Sequence, residues 1–319
     1  MSIEQEAAEL VAAVDPAAVA AVLADAIASA TLLSKAGPWA LAIVWPLGGL
    51  GLLGVAYLQS RYIDRFARVP VLAWLLSIYG VTFLLLVVLF AGDMGGSWAP
   101  AVCWLLADQM NFLVPLIVWS LASDVFTAGQ GVTVFPKMSR AVYVGQICGL
   151  TVATLAPIIF HPSNSELGVW LFAPMLACFS AVVVFPTLLK GATSGQGHGR
   201  EETSAESTRA TVNYVRELPA FNWLWKASFA VMAGGFVMEF LYFDITRQHY
   251  HSASDLQSVY AGATLAGFVL CAAVQIWVTP RVLQHRGVAW SLRLLPVLLF
   301  AAALIMVVAG VGLSLPVTI

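Results

Sequence analysis

Two acidic side chains stand inside long apolar runs of this sequence, where an ionisable group is costly. Asp108 lies in CWLLADQMNFLVPL, and Glu239 lies about two-thirds of the way along a second run. Ionisable residues inside membrane-spanning segments are rare and mark substrate, ion or proton pathways. The sequence therefore predicts a pathway for a proton or for a cationic or neutral solute. The alternative is that each carboxyl only joins neighbouring helices by hydrogen bonding.

Amide and glycine residues accompany these carboxylates. Asn111 follows Asp108 by three residues, which places both on one face of a helix. Gln146, in another apolar run, is a further candidate for the pathway, although helix packing is the favoured role for its uncharged side chain. In the same run, Gly145 and Gly149 form a small-xxx-small pair, a spacing that lets membrane helices approach closely. We predict a helix-packing role for both glycines.

The elements that must position these residues are membrane helices. The chain is 60% hydrophobic and only 10% charged, whereas soluble domains carry about 25% charged residues. A run of about 20 apolar residues crosses the bilayer core as a helix, and these runs are too long and unbroken for barrel strands. The predicted fold is an all-α membrane protein with about eight transmembrane helices in two bundles, at residues 38–58, 70–92, 98–121, 141–160, 167–189, 223–243, 257–279 and 289–314.

Four segments are predicted along the chain. Residues 1–37 are Ala-rich and contain Asp25; an amphipathic helix is favoured here over a degenerate first membrane helix. Residues 38–189 form a first bundle of five spans, and residues 223–319 form a second bundle of three. Between them, residues 190–222 form a cytoplasmic linker whose first half is rich in Gly, Ser and Glu and whose end is expected to form an interfacial helix.

Basic residues predict the orientation in the membrane. Eleven of the 15 Lys and Arg residues lie in the joints that follow the first, third, fifth and seventh predicted spans. The joints on the opposite side carry only Lys35 and Arg247. Loops rich in Lys and Arg stay in the cytoplasm. The expected localisation is therefore a multi-pass protein of the bacterial inner membrane, with the basic joints cytoplasmic.

One basic joint resembles a known loop. In SRYIDRFARVP, Asp64, Arg65 and Arg68 match the loop between the second and third helices of the major facilitator superfamily. Ser60 and Ala67 stand in place of that loop's glycines. The resemblance implies a conformational loop, in which these charges hold a cytoplasmic turn against a neighbouring helix end. Ordinary anchoring of the loop by its positive charge is the alternative.

A closer resemblance is to the ATP/ADP translocase (nucleotide transporter) branch of that superfamily. The stretches that resemble it are NYVRELPAFNWLWKASFAVMAGGFVMEFLYFDITRQ and LASDVFTAGQGVTVFPKMSRAVYVGQICGL, the latter with matching residues at Asp124, Phe126, Phe135, Pro136, Gly145 and Gly149. Val132 and Thr133 replace a basic pair of the branch. By this resemblance, which covers about residues 38–314, the eight spans correspond to helices two to nine of a twelve-helix transporter. An incomplete major-facilitator-like fold, truncated at both ends, is therefore expected.

The resemblance implies nucleotide transport, but the charges argue against that cargo. ATP and ADP need fixed cations in a low-dielectric cavity. The only basic residues within the predicted spans, Lys226 and Arg293, lie near cytoplasmic ends. We therefore expect a transporter that moves a small solute by alternating access and does not carry ATP or ADP. The alternative is a non-transporting subunit or assembly partner of a larger membrane complex, or a homodimer whose copies complete one another.

Other classes of function find no support in the residue pattern. The sequence contains no hydrolytic or redox constellation, no phosphate-binding loop and no H-x-x-x-H metal motif. No enzyme activity, cofactor or metal is therefore expected. No basic run could bind nucleic acid. The expected partners are the lipid bilayer, an unidentified small-molecule solute and, in the alternative, another membrane subunit or a second copy of the chain.

Overall fold

The computed structural model describes residues 3–62, 68–92, 94–126, 128–162, 166–188, 219–278 and 281. All regular elements in these ranges are helices, which confirms the all-α prediction for this part of the chain. They are α1 (Ile3–Ala36), α2 (Trp39–Tyr62), α3 (Arg68–Ala91), α4 (Trp98–Val125), α5 (Ala128–Phe160), a 3₁₀ segment (Glu166–Leu171), α6 (Phe172–Leu188), α7 (Pro219–His249), α8 (Ala253–Ala273) and a π-helical turn (Val274–Val278).

Seven helical segments in the described residues are long and apolar enough to cross a membrane. They are Pro16–Ala36, Val69–Ala91, Trp98–Ser123, Val142–Phe160, Glu166–Val183, Phe221–His249 and Ala253–Ala273. The prediction of a multi-pass integral membrane protein is confirmed at this level. Helix α2, which corresponds to the predicted span 38–58, has a shorter apolar stretch, Trp39–Val55. The predicted span 289–314 lies outside the described residues.

Helix α1 differs most from its prediction. In its apolar segment, Pro16–Ala36, 78% of the residues are buried, compared with 11% for Phe221–His249 of α7. Helix α1 packs against α4, α5, α6 and α8. The burial and apolar length of this segment fit the alternative, a membrane helix, better than the favoured amphipathic helix; the choice between them stays a prediction. The physical reason for the burial is that alanines form only a weak apolar stripe, yet their small volume lets several helices approach one axis.

Glycine sets the separation of α1 and α5. A Cβ atom built on Gly149 would stand 3.0 Å from the carbonyl oxygen of Val19 and 3.2 Å from its Cα atom. Gly145 is buried one turn earlier on α5. Because the atoms facing Gly149 belong to the backbone of α1, a side chain at this position would push the two helices apart. Gly149 is therefore a helix-packing residue.

The helices that follow the linker pack directly on the earlier ones. Helix α8 lies against α5 and α1. The Nε2 atom of Gln257 in α8 donates a hydrogen bond to the carbonyl oxygen of Ala153 in α5 at 3.1 Å. Helix α7 contacts α2 through the rings of Trp45 and Phe236, whose centroids are 5.1 Å apart. The residues after the linker thus share one helical core with those before it.

Two element boundaries differ from their predictions. Helix α5 begins at Ala128, so the basic joint that carries Lys137 and Arg140 is helical and continuous with the span predicted at 141–160. Helix α7 begins at Pro219, inside the predicted linker 190–222. The end of an apolar run shows where a helix leaves the membrane core. It does not show where the helix ends, because the helix continues into the polar residues. The rest of that linker, with its expected interfacial helix, lies outside the described residues.

Candidate functional site

Asp25 is the exception within the buried part of α1. All residues from 20 to 33 are buried except Asp25, which retains some accessible surface. Its charged neighbours are Glu239 of α7 and Asp108 of α4, and both are acidic. No ion pair or hydrogen bond joins Asp25 to another described side chain. Three carboxyl groups from three helices therefore lie close enough to interact electrostatically, and we refer to Asp25, Asp108 and Glu239 as the acidic cluster.

The electrostatics of the acidic cluster favour a positively charged ligand. Asp108 interacts with Glu239 as well as with Asp25, so each carboxylate repels the other two. This repulsion is strong because the apolar surroundings screen it poorly. A proton or another cation bound among the carboxylates would relieve it. The predicted pathway residues Asp108 and Glu239 are thus brought together, and Asp25 joins them.

Asp108 is held against α2 by a glycine. A Cβ atom built on Gly48 would stand 3.2 Å from the Oδ2 atom of Asp108. The adjacent Gln109 donates from Nε2 to the carbonyl oxygen of Gly48 at 3.0 Å. Its Oε1 atom is buried and has no hydrogen-bond partner among the residues that the structure describes. Helix α2 therefore fixes the position of this carboxyl group and leaves a buried acceptor beside it.

A pair of hydroxyl groups lies one helical turn from Asp25. Ser29 follows Asp25 by four residues and shares its face of α1. Ser29 is fully buried, and its Oγ atom makes no hydrogen bond of normal geometry within the described part of the chain. It lies near the hydroxyl of Tyr260 in α8, which is itself close to Asp25 and Glu239. The ring of Tyr260 packs against that of Phe243, at a centroid separation of 4.8 Å, and this contact positions its hydroxyl.

Asn111 and Gln146 meet at a pocket on the other side of Asp25. The lining of this small pocket includes Ala18 and Ala21 of α1. Pro115 of α4 also lines it. Because proline has no N–H group, the carbonyl oxygen of Asn111, four residues earlier, lacks its helical partner. The lining of the pocket therefore brings two side-chain amides together with the backbone of Asn111.

The residues predicted to form a conformational loop are described only in part. Asp64 and Arg65 lie outside the described residues. Arg68 is the first residue of α3, and its side chain is not described. The conformational role of these three residues stays a prediction.

Sequence reasoning missed Asp25, Ser29 and Tyr260 as site residues. The signal for Asp25 was present, because it is an acidic residue within an apolar segment, as Asp108 and Glu239 are. It was discounted because the alanines around it suggested a surface helix. Nothing in the sequence alone distinguishes Ser29 or Tyr260 from other hydroxyl residues in membrane helices, since their role depends on which helices become neighbours.

The described residues offer little to a metal ion or a nucleotide. None of their His, Cys, Asp and Glu side chains form a group of three or more that could hold a metal ion. Lys226 is exposed on α7, and its ammonium group lies 5.6 Å from the ring centroid of Trp223. Arg293 lies outside the described residues. Lys226 therefore provides no cation to the acidic cluster.

Comparison with known proteins assigns no family. No protein-family model, curated protein or solved structure matches this chain. The functional assignment therefore depends on the residues of the site itself, because one fold can serve many functions.

Proposed function

We propose that this chain is an integral membrane transporter that moves a small cationic or neutral solute by alternating access, with the acidic cluster as its binding site for a proton or another cation. The observation that carries the proposal is the convergence of Asp25, Asp108 and Glu239 from three helices, with only acidic groups as the charged neighbours of Asp25. Such intramembrane carboxylates are costly, and transport is the function that most often retains them. Catalysis is not part of the proposal.

A major-facilitator-like fold belongs to the same proposal. Helix α1 supplies a membrane helix ahead of the span predicted at 38–58, where the resemblance places helix one. With α1 counted first, the joint that contains Asp64 and Arg65 falls between α2 and α3. This is the position of the matching loop in the superfamily, between its second and third helices. The order of the helices therefore supports the resemblance, although no family comparison does.

The position of the cluster suggests how ligand binding is coupled to movement. Asp108 comes from a helix before the linker, and Glu239 comes from a helix after it. A shift of α7 relative to α4 would change the distance between their carboxylates and therefore the affinity for a cation. A ligand shifts a conformational equilibrium by its differential affinity for the two states. In this proposal, the cation binds most tightly when the carboxylates are close together.

Uptake into proteoliposomes tests the proposal. The labelled probes are a quaternary ammonium compound, a diamine, a neutral amino acid, a sugar and ATP, each applied with and without a pH gradient. We expect saturable uptake of at least one cationic or neutral probe, and loss of most of that uptake in Asp108→Asn and Glu239→Gln. Asp244→Asn is the matched control, because Asp244 lies on the same helix as Glu239 but accepts a hydrogen bond from Gln248 at 3.2 Å.

Two results would contradict this proposal. Saturable ATP/ADP exchange that is lost in Lys226→Ala or Arg293→Ala would show that the cargo is a nucleotide. Uptake of a probe that is unchanged in Asp108→Asn and Glu239→Gln would show that the acidic cluster is not the binding site.

The second candidate function is a non-transporting subunit of a membrane complex, or one half of a homodimer. The observation that favours it is the exposed apolar surface of α7, where Trp223, Phe229 and Met232 are 75%, 66% and 63% exposed. Within a bilayer, such a surface contacts lipid or another membrane protein. A stoichiometric complex recovered after mild detergent extraction would favour this function. A monomer that transports a solute would exclude it.

A further inference from the structure

We propose that Asp25 is the proton-binding residue of this site and that the pocket one helical turn before it on α1 is the route by which water and protons reach it. The pocket would open toward the end of the bundle that carries Lys137 and Arg140. This inference deepens the proposed function. Only the role of the bound proton in transport rests on that proposed function. The existence of the route can be tested without a known solute.

The residues that carry the inference share one face of α1. Ala18, Ala21, Asp25 and Ser29 recur at intervals of three and four residues, which is the spacing of a single helical stripe. Ala18 and Ala21 line the pocket. Asp25 belongs to the acidic cluster, and Ser29 lies near the hydroxyl of Tyr260. At about 1.5 Å per residue, the stripe extends for about 17 Å along the helix. It therefore covers more than half of a bilayer core about 30 Å thick.

The direction of the neighbouring helices shows which end of the bundle the pocket faces. On α4, Asn111 and Pro115 follow Asp108 toward the C-terminal end of the helix. On α5, Gln146 lies six residues after Arg140. Both helices thus place the pocket between the acidic cluster and the basic joint. Basic joints face the cytoplasm, so the route leads from the cytoplasmic side to Asp25.

The pocket and its surroundings fit water and a proton. Ordered water in a protein needs two to four polar partners, and the amides of Asn111 and Gln146 together with the carbonyl of Asn111 can supply them. At the inner end of the stripe, the buried Ser29 hydroxyl makes no hydrogen bond of normal geometry within the described part of the chain. It faces the hydroxyl of Tyr260, which lies near the cluster. Ala18 and Ala21 line the pocket, whereas Ala20 and Ala24, on other faces of α1, do not.

The titratable groups around Asp25 favour a proton as its ligand. They are Asp108 and Cys103 of α4, Glu239 of α7 and Tyr260 of α8. Each of these side chains is neutral or negatively charged, so none supplies a positive charge to offset the carboxylate. The described side chains also offer no metal-binding group. A proton delivered along the pocket is the cation that needs least space. In this assignment the Asp25 carboxylate accepts it from water and later returns it to water.

Cysteine labelling in sealed vesicles tests the route. Cys103, Cys148, Cys178 and Cys271 are first replaced by alanine, and single cysteines are then introduced by Ala18→Cys and Ala21→Cys. Ala20→Cys and Ala24→Cys are matched controls on the same helix. The probes are two membrane-impermeant methanethiosulfonates, one with a trimethylammonium group and one with a sulfonate group. We expect the first pair to react from the side of the basic joints and the control pair to be unreactive.

Charge selectivity tests the role of Asp25. A cleft lined by one sign of charge raises the local concentration of counter-ions about tenfold or more. The cationic reagent should therefore modify Ala21→Cys at least about tenfold faster than the anionic one. This preference should fall toward unity when Asp25→Asn is added, and also when the pH is lowered enough to protonate Asp25. Asp25→Glu retains the charge and should keep the preference. This control distinguishes loss of the charge from misfolding caused by a substitution at residue 25.

Three outcomes would overturn the inference. The first is equal reactivity of Ala20→Cys and Ala21→Cys. The second is no labelling of Ala21→Cys from either side of a folded protein. The third is a charge preference that Asp25→Asn and low pH leave unchanged. A protein that labels as expected but moves no solute would refute the proposed function alone. A protein that transports a probe while Ala21→Cys stays unreactive would refute the proton route alone.

Discussion

The carboxylate of Asp108 in α4 lies against Gly48 of α2, with its Oδ2 atom 3.2 Å from the position that a Cβ atom on Gly48 would occupy. The absence of a side chain at residue 48 is what allows a carboxyl group to sit between these two helices. The hydrogen bond from Gln109 to the carbonyl of Gly48 fixes the same contact. The site therefore depends on α2 although α2 contributes no charged side chain to it.

Replacement of this glycine should disturb the site. In Gly48→Ala, the new methyl group would displace the Asp108 carboxylate by a few tenths of an ångström, so we expect weaker uptake of any transported probe. A destabilisation of about 1–3 kcal/mol is the usual cost of such overpacking. Gly49→Ala is the matched control, because a Cβ atom there meets nothing within 4 Å. Thermal unfolding in detergent and uptake into proteoliposomes measure both effects. Equal behaviour of the two variants would argue against the contact.

The contact between α5 and α1 also predicts an effect on stability. In Gly149→Ala, the methyl group would meet backbone atoms of Val19, which cannot move without moving α1. We expect a loss of about 1–3 kcal/mol, seen as a lower midpoint of thermal unfolding. Gly262→Ala serves for comparison, because its Cβ atom would lie 3.4 Å from Thr154 Cγ2, an ordinary van der Waals distance. If the variant at residue 262 were the less stable of the two, the packing of α1 on α5 would be wrong.

A proline explains the hydrogen bond between α8 and α5. Pro157 has no N–H group, so the carbonyl of Ala153, four residues earlier, lacks its helical partner. The amide of Gln257 supplies the missing donor at 3.1 Å. Neighbouring helices commonly satisfy carbonyl groups that a proline frees in membrane helices.

A double-mutant cycle tests this replacement. Gln257→Leu should cost about 1–3 kcal/mol, because it leaves a buried carbonyl unsatisfied. In a Pro157→Ala background, which restores the backbone N–H, the same change should cost clearly less. The midpoint of thermal unfolding of the four proteins gives the coupling between the two residues. Strictly additive effects would contradict the proposed exchange of donors.

The cargo proposal predicts no role for the exposed cation of α7. Because the Lys226 ammonium group lies over the ring of Trp223 on the exposed surface of α7, Lys226→Gln should leave the uptake of a cationic or neutral probe unchanged. Glu239→Gln, on the same helix, should abolish most of it. Initial uptake rates at equal protein content in the vesicles provide the measurement. A loss of uptake in Lys226→Gln as large as that in Glu239→Gln would place a positive charge in the pathway.

The sequence predicted the membrane class and part of the site. The spans followed from the length of the apolar runs, and the cost of burying charge identified Asp108 and Glu239. The burial of α1 was not predicted, because hydropathy measures side-chain transfer and does not register how closely alanine lets helices pack. Contacts such as Gly48 with Asp108, or Gln257 with Ala153, join residues far apart in the chain. A single sequence carries no signal for such pairings, because they depend on which helices become neighbours.

The convergence of the acidic cluster is the central claim, and cysteine cross-linking measures it most directly. The pair Asp25→Cys and Glu239→Cys is introduced into cysteine-free protein and treated in native membranes with a short bismaleimide. The control pair is Asp25→Cys with Leu241→Cys, because Leu241 lies on α7 with 48% of its surface exposed. The account predicts efficient cross-linking of the first pair and little of the second. Cross-linking of the control pair alone, or of neither pair, would contradict it.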